Sequence, residues 1–148
     1  MDVKNKRVIV TGAASGIGKA LCEAFHEADA KSIVAVDMNL DGAQETADSV
    51  NGIAVQANVG IEKDIIDVIQ KADEHAGGTD IFCSNAGIGG VPGFFEVEAS
   101  DWQNIWDVNV QSHIFAAKHV LPQMIERGEG YLVNTSSAAG LLTQLGAA

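Results

Sequence analysis

The sequence predicts a doubly wound α/β fold, in which helices cover both faces of an open parallel sheet. Three observations predict it. Short runs rich in Val and Ile alternate along the chain with longer segments that have helical spacing. These short runs are continuously apolar, which is typical of strands buried on both faces. The helical segments are long enough to serve as the crossovers that parallel strands require.

The strands are predicted from β-branched and apolar runs bounded by polar or glycine residues. In chain order they cover residues 7–11, 31–37, 52–58, 80–84 and 130–135. A glycine-rich loop over 85–98 follows the fourth strand. With a helical crossover after each strand, we expect the strand order 3-2-1-4-5 in one sheet.

The helices are predicted from apolar spacing and from residues that favour helix N-termini. They cover residues 15–27, 41–50, a segment with apolar residues from 61 to 72, and 100–124. Ser15, Asp41 and Ser100 are the candidate N-caps, because short polar side chains accept hydrogen bonds from the first turn. The long last helix carries on one side Trp102, Ile105, Trp106, Ala116 and Val120.

Charge and composition exclude several classes of function. The 148 residues carry a formal net charge of −11, which disfavours nucleic acid and anionic membrane surfaces as partners. No apolar run approaches the length of a membrane helix and the first residues lack a signal-peptide pattern, so we expect a cytoplasmic protein. The two cysteines are expected to be free thiols in a reducing compartment. The four histidines show no metal-ligand spacing, so no metal is expected.

A glycine-rich turn between the first strand and the first helix is the strongest functional signal. Gly12 would allow a sharp turn, Gly16 would let the backbone approach a pyrophosphate, and Gly18 would let the helix pack closely on the strand. The helix N-terminus would then present free N–H groups to phosphate. The spacing does not fit a Walker loop, which needs Gly-Lys-Ser/Thr at its end. An ordinary strand-to-helix turn remains the alternative.

Two further features strengthen the prediction of a dinucleotide site. Asp37 ends the second strand 19 residues after the last glycine, where a carboxylate can accept both hydroxyls of an adenosine ribose. It would repel a 2′-phosphate, and neighbouring Met38 offers no cation, so NAD is favoured over NADP. A solvated Asp at a strand end is the alternative. Asn85-Ala86-Gly87 directly follows the fourth strand, at the carboxyl edge where open sheets bind ligands, although a plain turn would look the same.

Together these residues resemble the short-chain dehydrogenase/reductase family, which has a Rossmann-type fold. The matching motifs are TGAASGIG at 11–18, Asn-Ala-Gly at 85–87, WDVNVQSHIF at 106–115 and GYLVNTSSAAG at 130–140. They occur in the family's order across nearly the whole chain. Two departures are Asn58, where many relatives have Asp, and Ser84, where another Asn is frequent.

The resemblance implies roles for specific residues. Ser137 would hydrogen-bond the substrate oxygen, with Ser136 beside it as the other candidate, and Asn109 would bind a water of the proton relay. An Asn held by local backbone is the alternative for Asn109. Asn58 and Val59 would lie against the adenine. The implied cofactor-binding set is Gly12, Ser15, Gly16, Ile17, Gly18, Asp37, Met38, Asn58, Val59, Asn85, Ala86 and Gly87.

The reaction implied by the resemblance is hydride exchange between NAD and an alcohol or ketone, with a tyrosine and a lysine four residues later as acid and base. The single tyrosine, Tyr131, lies in the fifth predicted strand, and Thr135 stands four residues on. We therefore expect residues 1–148 to be one NAD-binding domain that is incomplete at its C-terminus and inactive by itself. The alternative is a non-catalytic NAD-binding or regulatory module. The family's sheet continues beyond its fifth strand, and the resemblance also implies a homo-oligomer.

Overall fold

The computed structural model describes residues 2–90 and 96–142 of the chain. The strands are β1 Arg7–Thr11, β2 Ser32–Asp37, β3 Ile53–Gln56, β4 Ile81–Ser84 and β5 Tyr131–Asn134. The helices are α1 Gly16–Glu27, α2 Leu40–Ser49, α3 Glu62–Ala76, α4 Ala99–Trp106 and α5 Ser112–Arg127. A π-helical turn, Asp107–Gln111, joins α4 to α5, and a short 3₁₀ turn, Ala138–Gly140, follows β5. Residues 91–95 of the predicted loop lie outside the described residues.

The five strands form one parallel sheet in the order β3-β2-β1-β4-β5. This confirms the predicted fold class and strand order. β1 is central: Val8 lies opposite Ile33 of β2 on one side and Ile81 of β4 on the other. The chain leaves β1 toward β2 and later crosses back to β4, so the direction of winding reverses beside β1.

The core is divided between the two faces of the sheet. Side chains alternate along each strand, so Val8 and Val10 belong to one cluster while Ile9 belongs to the other. The first cluster includes Cys22 of α1 and Ala47 of α2. The second contains the buried apolar residues of α3 and α5. Both faces of each central strand are therefore buried, which explains the continuous apolar runs.

Two of the three predicted helix caps differ from the sequence predictions. Asn39, not Asp41, caps α2, and its side-chain oxygen accepts from Gly42 N at 3.2 Å. Glu98, not Ser100, caps α4, and it forms a reciprocal capping box in which Asp101 Oδ2 accepts from Glu98 N at 3.0 Å. Ser15 occupies the cap position of α1, but its side chain makes no capping hydrogen bond.

The predicted long helix is interrupted by the π turn. A π turn closes i→i+5 hydrogen bonds and therefore shifts the helical phase of the residues on its two sides. Trp102 and Trp106, before the turn, are 50% and 51% exposed, whereas Ala116 and Val120, after it, are 1% and 0% exposed. The apolar residues predicted for one side therefore divide into a half-exposed group and a buried group.

An ion cluster joins the strands at the amino end of the sheet. The Asp80 carboxylate accepts from Arg7 Nε at 2.7 Å and from Arg7 N at 2.9 Å. Arg127 Nη2 lies 3.5 Å from the same carboxylate and also donates to Thr79 O. Hydrogen bonding to Arg7 lowers the pKa of Asp80, against the opposing effect of burial. The cluster holds β1, β4 and the end of α5 together.

Both cysteines are buried free thiols, as predicted. Burial raises the pKa of Cys22 and of Cys83 to about 12. In the described part of the chain, none of the helices combines the length and apolar character needed to cross a bilayer.

Candidate functional site

The predicted site residues gather at the carboxyl edge of the sheet. Gly12 follows β1, Asp37 ends β2, Asn58 follows β3, and Asn85 follows β4. The glycine-rich turn lies where the winding reverses, which is the place where open α/β sheets bind ligands. Within residues 2–90 and 96–142, no three His, Cys, Asp or Glu side chains are grouped to hold a metal ion.

Three glycines of the turn have distinct backbone requirements. Gly12 has φ +71° and Gly16 has φ +53°, both in the left-handed region that favours glycine. A Cβ on Gly18 would lie 2.0 Å from Gly12 O, so α1 packs directly on the turn. No atom lies within 4 Å of a Cβ built on Gly16, and the neighbouring Ile17 side chain is 65% exposed. The turn therefore presents open backbone beside the first N–H groups of α1, which a helix leaves unsatisfied.

The Asp37 carboxylate is fixed against this turn. Its Oδ2 accepts from Ala14 N at 3.0 Å, and its Oδ1 accepts from Asn39 N at 2.9 Å. Each carboxylate oxygen retains a further lone pair. A negatively charged acceptor with spare capacity therefore stands next to the glycine-rich turn, and the Met38 side chain beside it is 62% exposed.

A small cleft of about 270 Å³ lies beyond the ends of β2 and β3. Met38, Gln56, Ala57, Asn58 and Asp64 line it. Asn58 N donates to Asp64 Oδ2 at 2.8 Å, and Asn58 Oδ1 accepts from Gly60 N at 3.0 Å. The Val59 side chain is buried in the core rather than in this cleft. Of the predicted Asn58-Val59 pair, only Asn58 therefore lines the cleft.

Thr11 links the end of β1 to the end of β4, and the sequence did not predict it as a site residue. Its buried hydroxyl donates to Cys83 O at 3.2 Å and accepts from Asn85 N at 2.9 Å and from Ala86 N at 3.0 Å. Asn85 Nδ2 donates back to Thr11 O at 3.0 Å, and Thr135 Oγ1 donates to Asn85 Oδ1 at 3.0 Å. The predicted Asn-Ala-Gly segment is therefore held by β1 and by the end of β5. A hydroxyl residue at the end of a predicted central strand was the feature of the sequence that could have indicated this role.

A larger cleft of about 1350 Å³ extends from this segment toward α4 and α5. Its lining includes Asn85, Ala86, Gly87, Trp102, Trp106, Asn109, His113, Ser136 and Ser137. The sequence-predicted residues from β4, from the π turn and from the segment after β5 thus meet in one cavity. Its volume exceeds the range of about 300–1,000 Å³ typical of small-molecule sites.

Asn109 lies in the π turn and holds the loop after β4. Its Oδ1 accepts from Ile88 N at 2.9 Å, and its Nδ2 donates to Ile88 O at 2.9 Å. A Cβ on Gly87 would lie 3.3 Å from Asn109 Oδ1, so the loop passes close to this amide. The backbone partner of Asn109 is thus 21 residues away in the sequence and is not the local backbone of the alternative.

Two polar groups complete the wall of the larger cleft. Ser137 is exposed, and its Oγ accepts from Ala139 N at 3.2 Å. His113 follows Asn109 by four residues on the same helical segment, and burial lowers the pKa of its imidazole. An imidazole with a lowered pKa is neutral at pH 7 and can donate or accept a hydrogen bond. His113 was not predicted as a site residue, although its spacing of four residues from Asn109 could have indicated it.

A family model described as short chain dehydrogenase matches residues 6–148. The chain belongs to the short-chain dehydrogenase family. Its relatives include glucose 1-dehydrogenase 2 from Bacillus subtilis strain 168, at 35% identity over 92% of this chain and 55% of the relative. An uncharacterized oxidoreductase from Staphylococcus aureus strain MRSA252 is 33% identical over 92% of this chain and 60% of that protein.

A solved short-chain dehydrogenase/reductase from Burkholderia phymatum, in complex with NAD, superposes with a TM-score of 0.93 at 27% identity. It is matched over 99% of this chain and 54% of its own length. This short-chain dehydrogenase chain therefore spans little more than half the length of the relatives it matches.

Proposed function

We propose that the chain binds NAD along the carboxyl edge of the sheet and forms the cofactor-binding part of an oxidoreductase. The observation that carries the proposal is the Asp37 carboxylate fixed against the glycine-rich turn. It offers acceptors to the two adenosine ribose hydroxyls and would repel a 2′-phosphate. The Burkholderia relative in complex with NAD supports the same cofactor.

The residues at the turn fit a bound dinucleotide. A Cβ on Gly12 would lie 2.9 Å from Ala86 Cα, and the open space at Gly16 leaves backbone accessible for a pyrophosphate. Asn58 and Met38 would border the adenine. When bound, the nicotinamide would accept a hydride from an alcohol as NAD⁺ or donate one to a ketone as NADH.

Within the larger cleft we assign substrate contact to Ser137 and loop positioning to Asn109. The Ser137 hydroxyl can donate to a substrate oxygen, while Asn109 holds the loop that carries Gly87. Tyr131 begins β5 at the opposite end of the sheet from the cleft, next to Ile81. We therefore propose that Tyr131 does not serve as the acid/base group and that residues 2–90 and 96–142 do not turn over an alcohol by themselves.

The position of Tyr131 also favours a second candidate, a module that binds NAD without catalysis. It would use the same cofactor residues, and it would differ from the first candidate only in having no part in a catalytic reaction. NADH formation from a panel of alcohols, followed by absorbance on the purified chain, separates the two candidates from an active enzyme.

Copies of the chain are proposed to associate. The described parts of α4 and α5 expose large apolar side chains, namely Trp102, Trp106, Ile114, Leu121 and Ile125. An apolar surface of this kind is typical of protein–protein contacts.

Titration calorimetry with NAD and NADP tests the cofactor proposal. We expect NAD to bind at least tenfold more tightly than NADP. Asp37→Ala should weaken NAD binding by more than about tenfold and bring the affinities for NAD and NADP closer together, because a charged hydrogen bond contributes about 1.5–3 kcal/mol and about 1.4 kcal/mol is a factor of ten. Asp41→Ala is the matched control, since Asp41 is an exposed carboxylate four residues further along the chain, in α2. Equal or tighter binding of NADP by the unmodified chain would refute the proposal.

A further inference from the structure

Thr46 is a fully buried hydroxyl in the middle of α2, one element away from the proposed cofactor. Its relative exposure is 0%. Its Oγ1 lies 2.9 Å from Ala13 O in the glycine-rich turn and 3.1 Å from Gly42 O in its own helix. A hydroxyl has one hydrogen to donate, and the shorter contact is the one to the turn.

The peptide unit between Ala13 and Ala14 is held at both ends. Thr46 donates to its carbonyl oxygen, and Asp37 Oδ2 accepts from its N–H at 3.0 Å. Ala13 N in addition donates to Val36 O at 3.0 Å. Because the carbonyl and the N–H of one peptide point in opposite directions, this unit cannot rotate without breaking both side-chain contacts.

The first turn of α2 also packs against Ala14, directly beside this peptide. A Cβ added to Gly42 would lie 2.8 Å from Ala14 Cβ and 3.3 Å from Ala14 O. The helix therefore reaches the turn through a hydrogen bond at Thr46 and through direct packing at Gly42.

We propose that Thr46 is a positioning residue that sets cofactor specificity through the Ala13–Ala14 peptide. The inference rests on the proposed function, since it assigns a role at the same NAD site. With the carbonyl held, the Ala14 N–H is committed to Asp37 and keeps that carboxylate aimed at the ribose position. Without the hydroxyl, the peptide can rotate, the carboxylate loses a donor, and a free N–H becomes available to a 2′-phosphate.

Thr46→Val removes the hydroxyl at nearly constant side-chain shape. It should weaken NAD binding about tenfold and bring the affinities for NAD and NADP closer together. Thr46→Ala should do the same, and Thr46→Ser should restore both values. Ser49→Ala is the matched control, because its hydroxyl donates to Thr46 O at 2.7 Å within the same helix. That control should leave both affinities unchanged.

A double mutant gives a readout that a purely structural role would not move. In an Asp37→Ala background, Thr46→Val should no longer change the NAD-to-NADP ratio, because both residues act through the same peptide. Calorimetric titrations give the affinities, and circular dichroism melting confirms that each variant is folded.

The outcomes separate the two proposals. If the unmodified chain does not bind NAD, the proposed function fails. If the unmodified chain binds NAD and folded Thr46→Val keeps its affinity and preference, Thr46 only bonds within its own helix and the inference is overturned. Loss of fold in both hydroxyl-free variants would also overturn it, because Thr46 would then serve the core rather than the cofactor turn.

Discussion

Gly18→Ala should disrupt the contact between α1 and the glycine-rich turn. The added Cβ would lie 2.0 Å from Gly12 O and 2.9 Å from Asn85 Nδ2. Ordinary van der Waals contact begins at 3.4 Å, so the two backbone segments must separate by 3.4 − 2.0 = 1.4 Å. Backbone atoms cannot rotate away as a flexible side chain would. Overpacking of a tight interior costs about 1–3 kcal/mol of stability, and we expect Gly18→Ala to lower the free energy of unfolding by about 3 kcal/mol.

The same displacement should also change the proposed cofactor site. It moves the turn away from Asn85, and because a binding site must hold its groups within about 0.5 Å, NAD affinity should fall by more than about threefold. Urea denaturation followed by circular dichroism measures the stability loss, and calorimetric titration with NAD measures the binding loss.

Gly128→Ala is the control for an added methyl group. Gly128 ends α5 at φ +73° with no atom within 4 Å of a built Cβ, so only backbone strain of about 1–2 kcal/mol is expected. NAD affinity should not change. A Gly18→Ala protein as stable as the unmodified chain, with NAD affinity within threefold, would show that the turn yields easily and that the reasoning is wrong.

Two further predictions concern stability and assembly. Asp80→Asn should lower the free energy of unfolding, measured in urea, by about 3 kcal/mol, because it leaves two arginines with a neutral partner in a largely buried cluster. As the control, Asp29→Asn changes an exposed ion pair and should lower the free energy of unfolding by less than about 1 kcal/mol. Because the pKa of Asp80 is lowered, the unmodified chain keeps this stabilisation above the ordinary pKa of 3.8 and loses it as the pH falls through the lower pKa of the folded state. The free energy of unfolding of Asp80→Asn should not show this loss. Light scattering should give the unmodified chain the mass of at least a dimer, and Trp106→Lys should shift the mass toward that of a monomer. A monodisperse monomer of the unmodified chain would contradict the proposed association.

Much of the fold followed from simple patterns in the sequence. β1 and β2 lie at the predicted positions because buried parallel strands read as continuous apolar runs. The helix caps were less predictable. Asn39 and Asp41 are both good capping residues, and the choice between them depends on the backbone that leaves β2.

The site was predictable where one residue type suffices and less so where partners come from distant segments. The left-handed φ of Gly12 and the close contact at Gly18 follow from local geometry that glycine spacing reveals. The bonds of Thr11 to Asn85 join residues more than 70 positions apart, so they depend on the pairing of β1 with β4. No local pattern signals such a partner.

The π turn of Asp107–Gln111 absorbs one extra residue in the helix. An α-helix turns by about 100° per residue and a π turn by less, so the extra residue widens the turn while α4 and α5 keep nearly the orientation they would have without it. Deleting one residue of the turn would therefore leave Trp102 and Trp106 at the wall of the larger cleft. It would instead disturb the two hydrogen bonds by which Asn109 holds Ile88. The turn thus gives the chain a place beside the cleft where one residue can be gained or lost without rotating the cleft wall.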